Sequence, residues 1–400
     1  MTSPPEPQVL AGLRVLDFGS FITAPYAAML LAEMGADVVK IELPGSGDPF
    51  RAFNDGLYSS HFQAHNRNKR SLALDYRKPE TRGVLERLLA SADVALLNVR
   101  PGVEEHLGLS YGQIAQHNSR LIYCSITGFG SSGPYAKQPA YDNVGQTVSG
   151  WLSMFHHGTD ARVAGPAISD AITGIFGALG ILAALHERSR TGTGRKVEVS
   201  MLESMIAFAT EPLARLFSSG QALDFFARAA ASQSFIVTCA DGLRIGLHLS
   251  SPPKFWDALL AAVGAPELAS RYPSRADRVR EYDELAADLA RIFATQPRAY
   301  WLPLLAKHDV PFAAENQLQD LAKDPQVRHL NILHTTLHPT QGEVRAPHRP
   351  VRFDGSNHSN FLPPPMLGEH SFEILQELGV NPTEVEQLLS AGLLGIPPSE

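Results

Sequence analysis

The strongest constraint on this chain's fold is the alternation, in its first third, of short apolar runs with helical segments. RVLDF (14–18) reads as a strand, APYAAMLLAEMG (24–35) as a helix stopped by Gly35, and ADVVKIE (36–42) as the next strand. PETRGVLERLLASA (79–92) reads as a helix, DVALLNV (93–99) as a strand and SYGQIAQHN as a short helix. RLIYCSITGFG (120–130) is then a strand running into a glycine loop. This βαβ rhythm predicts an α/β fold with a mostly parallel sheet and helices on both faces.

A long apolar helix follows from 170 to 190, then a strand RKVEVS (195–200) and a helix MLESMIAFATEPLARLF (201–217). Its apolar stretch, 171–185, is shorter than the ~20 residues of a membrane span, so a buried helix is expected. Residues 218–232 turn to Ser, Gly, Ala and Gln, as a linker does. SFIVTCADGLRIGLHL (234–249) reads as a hairpin turning at Asp241-Gly242. Helical segments fill 252–330. The tail carries strand-like pieces, a proline run (Pro363–Pro365) and the helix LGEHSFEILQELG.

A chain of 400 residues implies two or three domains, or one large domain with an insertion. Its net charge of −7 and its lack of a Lys/Arg-rich run argue against nucleic acid as a partner. The two cysteines, Cys124 and Cys239, form neither a disulfide framework nor a CxxC metal pattern. A reducing cytoplasm and no metal site are expected. MTSPPEPQ lacks the basic and apolar regions of a signal peptide.

The first strand–turn–helix–strand, ending in Glu42, imitates a dinucleotide-binding unit. That unit needs G-x-G-x-x-G for close approach to a pyrophosphate. Here the turn is GSFITAP, with Gly19 alone. No GxxxxGK[ST] occurs either, so nicotinamide and flavin dehydrogenases are set aside.

The stretch GPAISDAITG (165–174) places one carboxylate, Asp170, before the apolar helix. Alone, it reads as an N-cap. Its neighbours suggest more. The pieces LAGLRVLDFGSFITAPYAAMLLAEMGADVVKIELPGSGDPFR, NRNKRSLALDYRKPE, LNVRPG, ITGFGSSGPYA, YDNVGQTVSG, ISDAITG, RTGTGRKVEVSMLES and PPPMLGEH occur in that order. Together they resemble the class III CoA-transferases, which include formyl-CoA transferase and share their fold with the alpha-methylacyl-CoA racemases. The resemblance is dense over 10–217, present in the tail from about 345, and weak between.

The resemblance implies a large open α/β domain from both chain ends (1–220 and 330–400). It also implies a smaller inserted α+β domain (221–329) and an interlocked homodimer. Asp170 is implied as a nucleophile that carries CoA as a thioester. The substrates are then an acyl-CoA donor and a carboxylic acid acceptor, with no permanently bound cofactor. CoA contacts are implied at Ile22, Thr23, Leu74, Asp75, Arg77, Asn98, Val99, Arg100, His106, Tyr141 and Asp142. Arg77, Arg100 and the Lys69-Arg70 pair offer cations for phosphates, although NKR also reads as a solvated basic face. A helix N-terminus would favour the ionised Asp170, and its N–H groups could hold an oxyanion.

This chain departs from formyl-CoA transferase in four ways. Ile22 replaces a glutamine and the run of small-domain glycines is absent, which argues against formate or oxalate as the acceptor. Leu43 replaces an arginine and His106 another basic residue, which implies redistributed phosphate contacts. A dicarboxylate or hydroxyacid such as succinate is expected, with Arg228, Arg244 and His248 as candidates for its second carboxylate. The racemases use a histidine where Tyr141 stands here. A phenol, titrating near pH 10 in water, is a poor base. His156 and His157 could approach the site but fit a solvent-facing loop better. A racemase or epimerase and a CoA-binding homologue without turnover are the alternatives.

Overall fold

The computed structural model describes residues 8–53, 56–155, 162–163, 165–220, 225–250, 253–355 and 361–397. Its contacts divide the chain into two units: Met1–Ser153, Arg162–Thr210 and His329–Glu400 form one, and Met154–Ala161 with Glu211–Arg328 form the other.

The first unit is built on seven strands: β1 (Arg14–Asp17), β2 (Asp37–Glu42), β3 (Lys69–Leu74), β4 (Val94–Leu97), β5 (Ile122–Thr127), β6 (Lys196–Ser200) and a two-residue strand, Leu394–Gly395. Their order is Leu394–Gly395, β3, β2, β1, β4, β5, β6. All pairs are parallel except the last-formed edge, where Leu394 opposes Leu74 in antiparallel register. The order reverses direction at β1. Open α/β sheets bind ligands at such a point, beyond the carboxyl ends of the strands.

The helices are α1 (Thr23–Ala32), α2 (Ser60–Asn66), α3 (Arg82–Ser91), α4 (Val103–His106), α5 (Tyr111–His117), α6 (Asp142–Val148), α7 (Ile168–Thr191) and α8 (Met201–Phe208). One face of the sheet packs Leu72, Leu85, Leu88, Ala95 and Tyr123 with Ile374 and Leu375 of the tail helix Ser371–Glu377. The other packs Val38, Leu96, Ile122 and Ile126 against Ala24, Ala27, Ala178 and Ile181 of α1 and α7. At 24 residues, α7 outruns the 171–185 apolar stretch and is long and apolar enough to cross a membrane. Here it lies against α1 and the sheet.

The approach of α7 is set by glycine. A Cβ on Gly174 would lie 2.9 Å from the Thr23 carbonyl oxygen, and one on Gly180 would lie 2.8 Å from Val197. Only glycine lets the start of α7 settle beside the start of α1.

The strand β3 has no counterpart among the elements expected from the sequence. Lys69 and Arg70 are neither a solvated basic face nor free phosphate donors. Lys69 is buried and donates to Asp17 (2.8 Å), Asn66 (2.8 Å) and the Pro25 carbonyl (2.8 Å). Burial lowers its pKa to about 8 against the pull of Asp17. Arg70 pairs with Asp37, Glu373 and Glu377. The expected helix 201–217 is broken into α8 and Thr210–Ser219. The expected linker holds a short helix, Ala227–Ser232.

The second unit carries an antiparallel sheet of β7 (Ser234–Thr238), β8 (Arg244–His248) and β9 (Phe312–Ala314). Gly242 takes φ +76° in the hairpin turn. The strand β9 interrupts the stretch expected to be helical. Helices including Lys254–Val263 and Tyr282–Phe293 pack Trp256, Leu259, Leu285 and Phe293 against Phe235, Val237 and Ile245 of the sheet.

Candidate active site

A cavity of about 390 Å³ lies beyond β1, β4 and β5, at the switch point of the sheet. Its walls come from the turn after β1 (Ser20–Thr23), the turn after β4 (Asn98–Pro101) and the end of β5 with the residue that follows it (Thr127, Gly128). Gln138–Tyr141, Met201 and Asp170 also line it. Asn98 ties the first two turns together: its Oδ1 accepts from the Ser20 N–H (2.9 Å), and its Nδ2 donates to the Ser20 carbonyl (2.7 Å) and Thr23 Oγ1 (3.0 Å). Ile22, Thr23, Asn98, Val99, Arg100, Tyr141 and Asp170 thus meet at one cavity.

Asp170 is not the N-cap the sequence suggested. The helix begins at Ile168 after Ala167, which offers no capping side chain, so Asp170 sits inside the first turn. The cap comes from another helix. Asp142 Oδ1 accepts from the N–H groups of Ser169 (2.8 Å) and Asp170 (3.3 Å), while its Oδ2 accepts from Gln146 (2.6 Å). These two N–H groups are therefore committed and not free to hold an oxyanion. Asp142 belongs to the site as a cap, not as a wall of the cavity.

This arrangement also sets the charge on Asp170. The residue is 8% exposed. Burial, and secondarily the carboxylate of Asp142, raise its pKa to about 7. Desolvation and the neighbouring Asp142 carboxylate both work against the ionised form.

Besides Asp142, four expected contacts lie away from this cavity. The Leu74 side chain is wholly buried in the sheet core, with no surface for a ligand. Asp75 and Arg77 pair with each other (2.7 and 2.9 Å) on either side of Tyr76. Tyr76 lines an adjoining hollow of about 540 Å³ with Leu43 and Ser20. His106 ends α4, exposed, with Nδ1 2.8 Å from the Gly102 carbonyl. Phe21, which the sequence reading passed over, walls the cavity at φ +63°, a conformation that bulky residues rarely adopt.

In the second unit, Arg244 pairs with Glu315 (2.7 Å) and Arg228 with Glu211 (3.5 Å). His248 lies between the hydroxyls of Ser234 (2.8 Å) and Ser250 (2.9 Å). His156 and His157 lie outside the described residues. Among the described residues, no group of three or more His, Cys, Asp or Glu is placed to hold a metal ion.

The sequence matches the family described as CoA-transferase family III over residues 10–371. Acetyl-CoA:oxalate CoA-transferase of Acetobacter aceti is 33% identical over 395 residues, covering 94% of this chain and 97% of that protein. Succinyl-CoA:glutarate CoA-transferase of Mus musculus is 32% identical over 397 residues, covering 96% and 90%. The crystal structure of a CAIB/BAIF family protein from Brucella suis superposes with a TM-score of 0.80 at 30% identity, covering 92% and 99%.

Proposed function

The chain belongs to CoA-transferase family III and is an enzyme of that kind, and from this premise we propose that it moves coenzyme A between acids through a thioester on Asp170. The observation that carries this reading is the buried carboxylate of Asp170 in the wall of the switch-point cavity.

The Asp170 carboxylate attacks the donor thioester carbonyl, and the carbon–sulfur bond breaks. A mixed anhydride forms and CoA leaves as thiolate. The thiolate attacks the Asp170 carbonyl, the donor acid departs, and a thioester remains on the enzyme. The acceptor carboxylate attacks this thioester and the thiolate leaves. Its return to the new acyl group releases the product acyl-CoA and the free carboxylate. Each step exchanges acyl groups of similar energy, and a positioned nucleophile supplies the catalysis. Acylation also removes a negative charge from a site shielded from water beside Asp142, which favours the covalent states over the free carboxylate.

Coenzyme A is assigned to the cavity and the adjoining hollow, which share Ser20. Thr23 and Arg100 are the polar and cationic groups for its phosphates, and Asn98 holds the turn they stand on. Asp75, Arg77 and His106 are kept as contacts at its outer end. The acceptor is a dicarboxylate. This rests on the acids named for the relatives, since Arg228 and Arg244 already face acidic partners. Tyr141 stands where a racemase needs a stronger base, which favours transfer over α-proton exchange.

The inserted-domain division, cytoplasmic location and homodimer belong to the same reading. Ile175, Leu179, Ile206 and Phe208 are exposed, and an apolar surface of this kind fits a second copy.

Intact-protein mass spectrometry with a panel of acyl-CoAs tests the reading. Wild type is expected to gain a hydroxylamine-labile CoA adduct that Asp170→Ala lacks. Binding of CoA with no adduct and no exchange into any acid would reduce the chain to a CoA-binding homologue.

A further inference from the structure

We propose that Asp48 is a positioning residue for the transfer reaction: its carboxylate clamps the turn at Phe21 that walls the Asp170 cavity, an inference that rests on reading this cavity as the CoA site. The turn after β1 carries a bulky residue in the left-handed region, where only surrounding contacts can keep it. Side chains supply those contacts. Asp48 Oδ1 accepts from the Phe21 N–H (3.2 Å) and the Phe50 N–H (2.9 Å). Asp48 Oδ2 lies 2.9 Å from Lys40 Nζ, which donates to the Gly19 carbonyl (2.9 Å). The Gly19 N–H is taken by Asp17 Oδ1 (2.9 Å), and both backbone groups of Ser20 are taken by Asn98.

Asp17, Lys40 and Asp48 are all buried. Burial raises Asp17, but Lys40 and Lys69 more than offset it and hold the carboxyl below its usual range. Buried charges with several hydrogen bonds make a stiff framework, because any movement leaves one of them unpaired. The Phe21 ring is wedged edge-on between Phe50 (5.2 Å) and Tyr141 (5.6 Å), so its backbone angle decides where the cavity wall stands. The chain thereby prepares the start of α1 for its ligand before the ligand arrives.

Two variants isolate the clamp. Both remove the charge facing Lys40, but Asp48→Asn keeps an oxygen for the Phe21 N–H and Asp48→Ala does not. Asp48→Ala is expected to raise the KM for acyl-CoA about tenfold while kcat stays within about threefold. Asp48→Asn, which keeps the Phe21 acceptor but turns an amide N–H2 toward Lys40, should raise KM less than Asp48→Ala does. An unchanged KM in Asp48→Ala, or identical behaviour of the two variants, overturns the proposal. Hydrogen exchange on the wild type gives a test that requires no variant to fold. The amides of Gly19–Phe21 should exchange slowly in the free protein, and CoA should slow them by less than about twofold. Fast exchange that only CoA suppresses would overturn the clamp. A wild type that takes up no CoA in calorimetry would instead defeat the CoA-site reading, while exchange in the free protein still judges the turn.

Discussion

Asp170 and Asp142 lie together at the start of α7, and their roles are unequal. Asp142 is fixed by two backbone N–H groups and Gln146, whereas Asp170 carries the desolvation penalty. Only the carboxylate attacks a thioester, so kcat/KM should fall as pH drops through about 7. Asp142→Asn removes the like charge while leaving an oxygen to cap α7, and Gln146 can turn its amide to suit. Loss of repulsion lowers the Asp170 pKa, so the acid limb should move down by about one pH unit. A pH–rate profile of the two proteins checks this, and an unmoved limb would leave burial as the whole cause. The sequence could point to Asp170 through its flanking pieces. It could not show that the cap of α7 comes from Asp142, because capping across 28 positions leaves no local pattern.

At the scale of elements, α7 and α1 meet through glycine. Gly174→Ala would press a methyl group onto the Thr23 carbonyl and Tyr26, costing about 1–3 kcal/mol and moving the first turn of α7. Gly83→Ala in α3 meets nothing within 4 Å and should gain about 0.5–1 kcal/mol. Denaturant midpoints of the pair measure both, and similar costs would show that the α1–α7 approach is not tight. The strands β1, β2, β4, β5 and β6 were legible because their apolar runs alternate with helices. β3 was not, because its first residues, Lys69 and Arg70, resemble surface charge. Their partners, Asp17, Asp37 and Glu377, come from distant positions that no window covers. β9 and Leu394–Gly395 were too short to signal themselves.

At the scale of the molecule, the exposed side of α7 and α8 offers the clearest prediction. Leu179 is 58% exposed on a helix that is otherwise half buried. If a second copy covers it, wild type should sediment as a dimer, and Leu179→Glu should shift it toward monomer and lower activity. A wild-type monomer at micromolar concentration would defeat the homodimer reading. The edge of the main sheet has a consequence of another kind. Leu394–Gly395 closes against β3, and the Ser371 hydroxyl bridges the Ala73 N–H and the Gly395 carbonyl. On the ribosome, the partner of β3 emerges only after the whole second unit has been synthesised. At roughly 5–20 residues per second, that edge stays open for on the order of tens of seconds. The nascent chain therefore carries an open sheet edge at β3 through most of its own synthesis, the interval in which a chaperone or a neighbouring nascent chain could bind it.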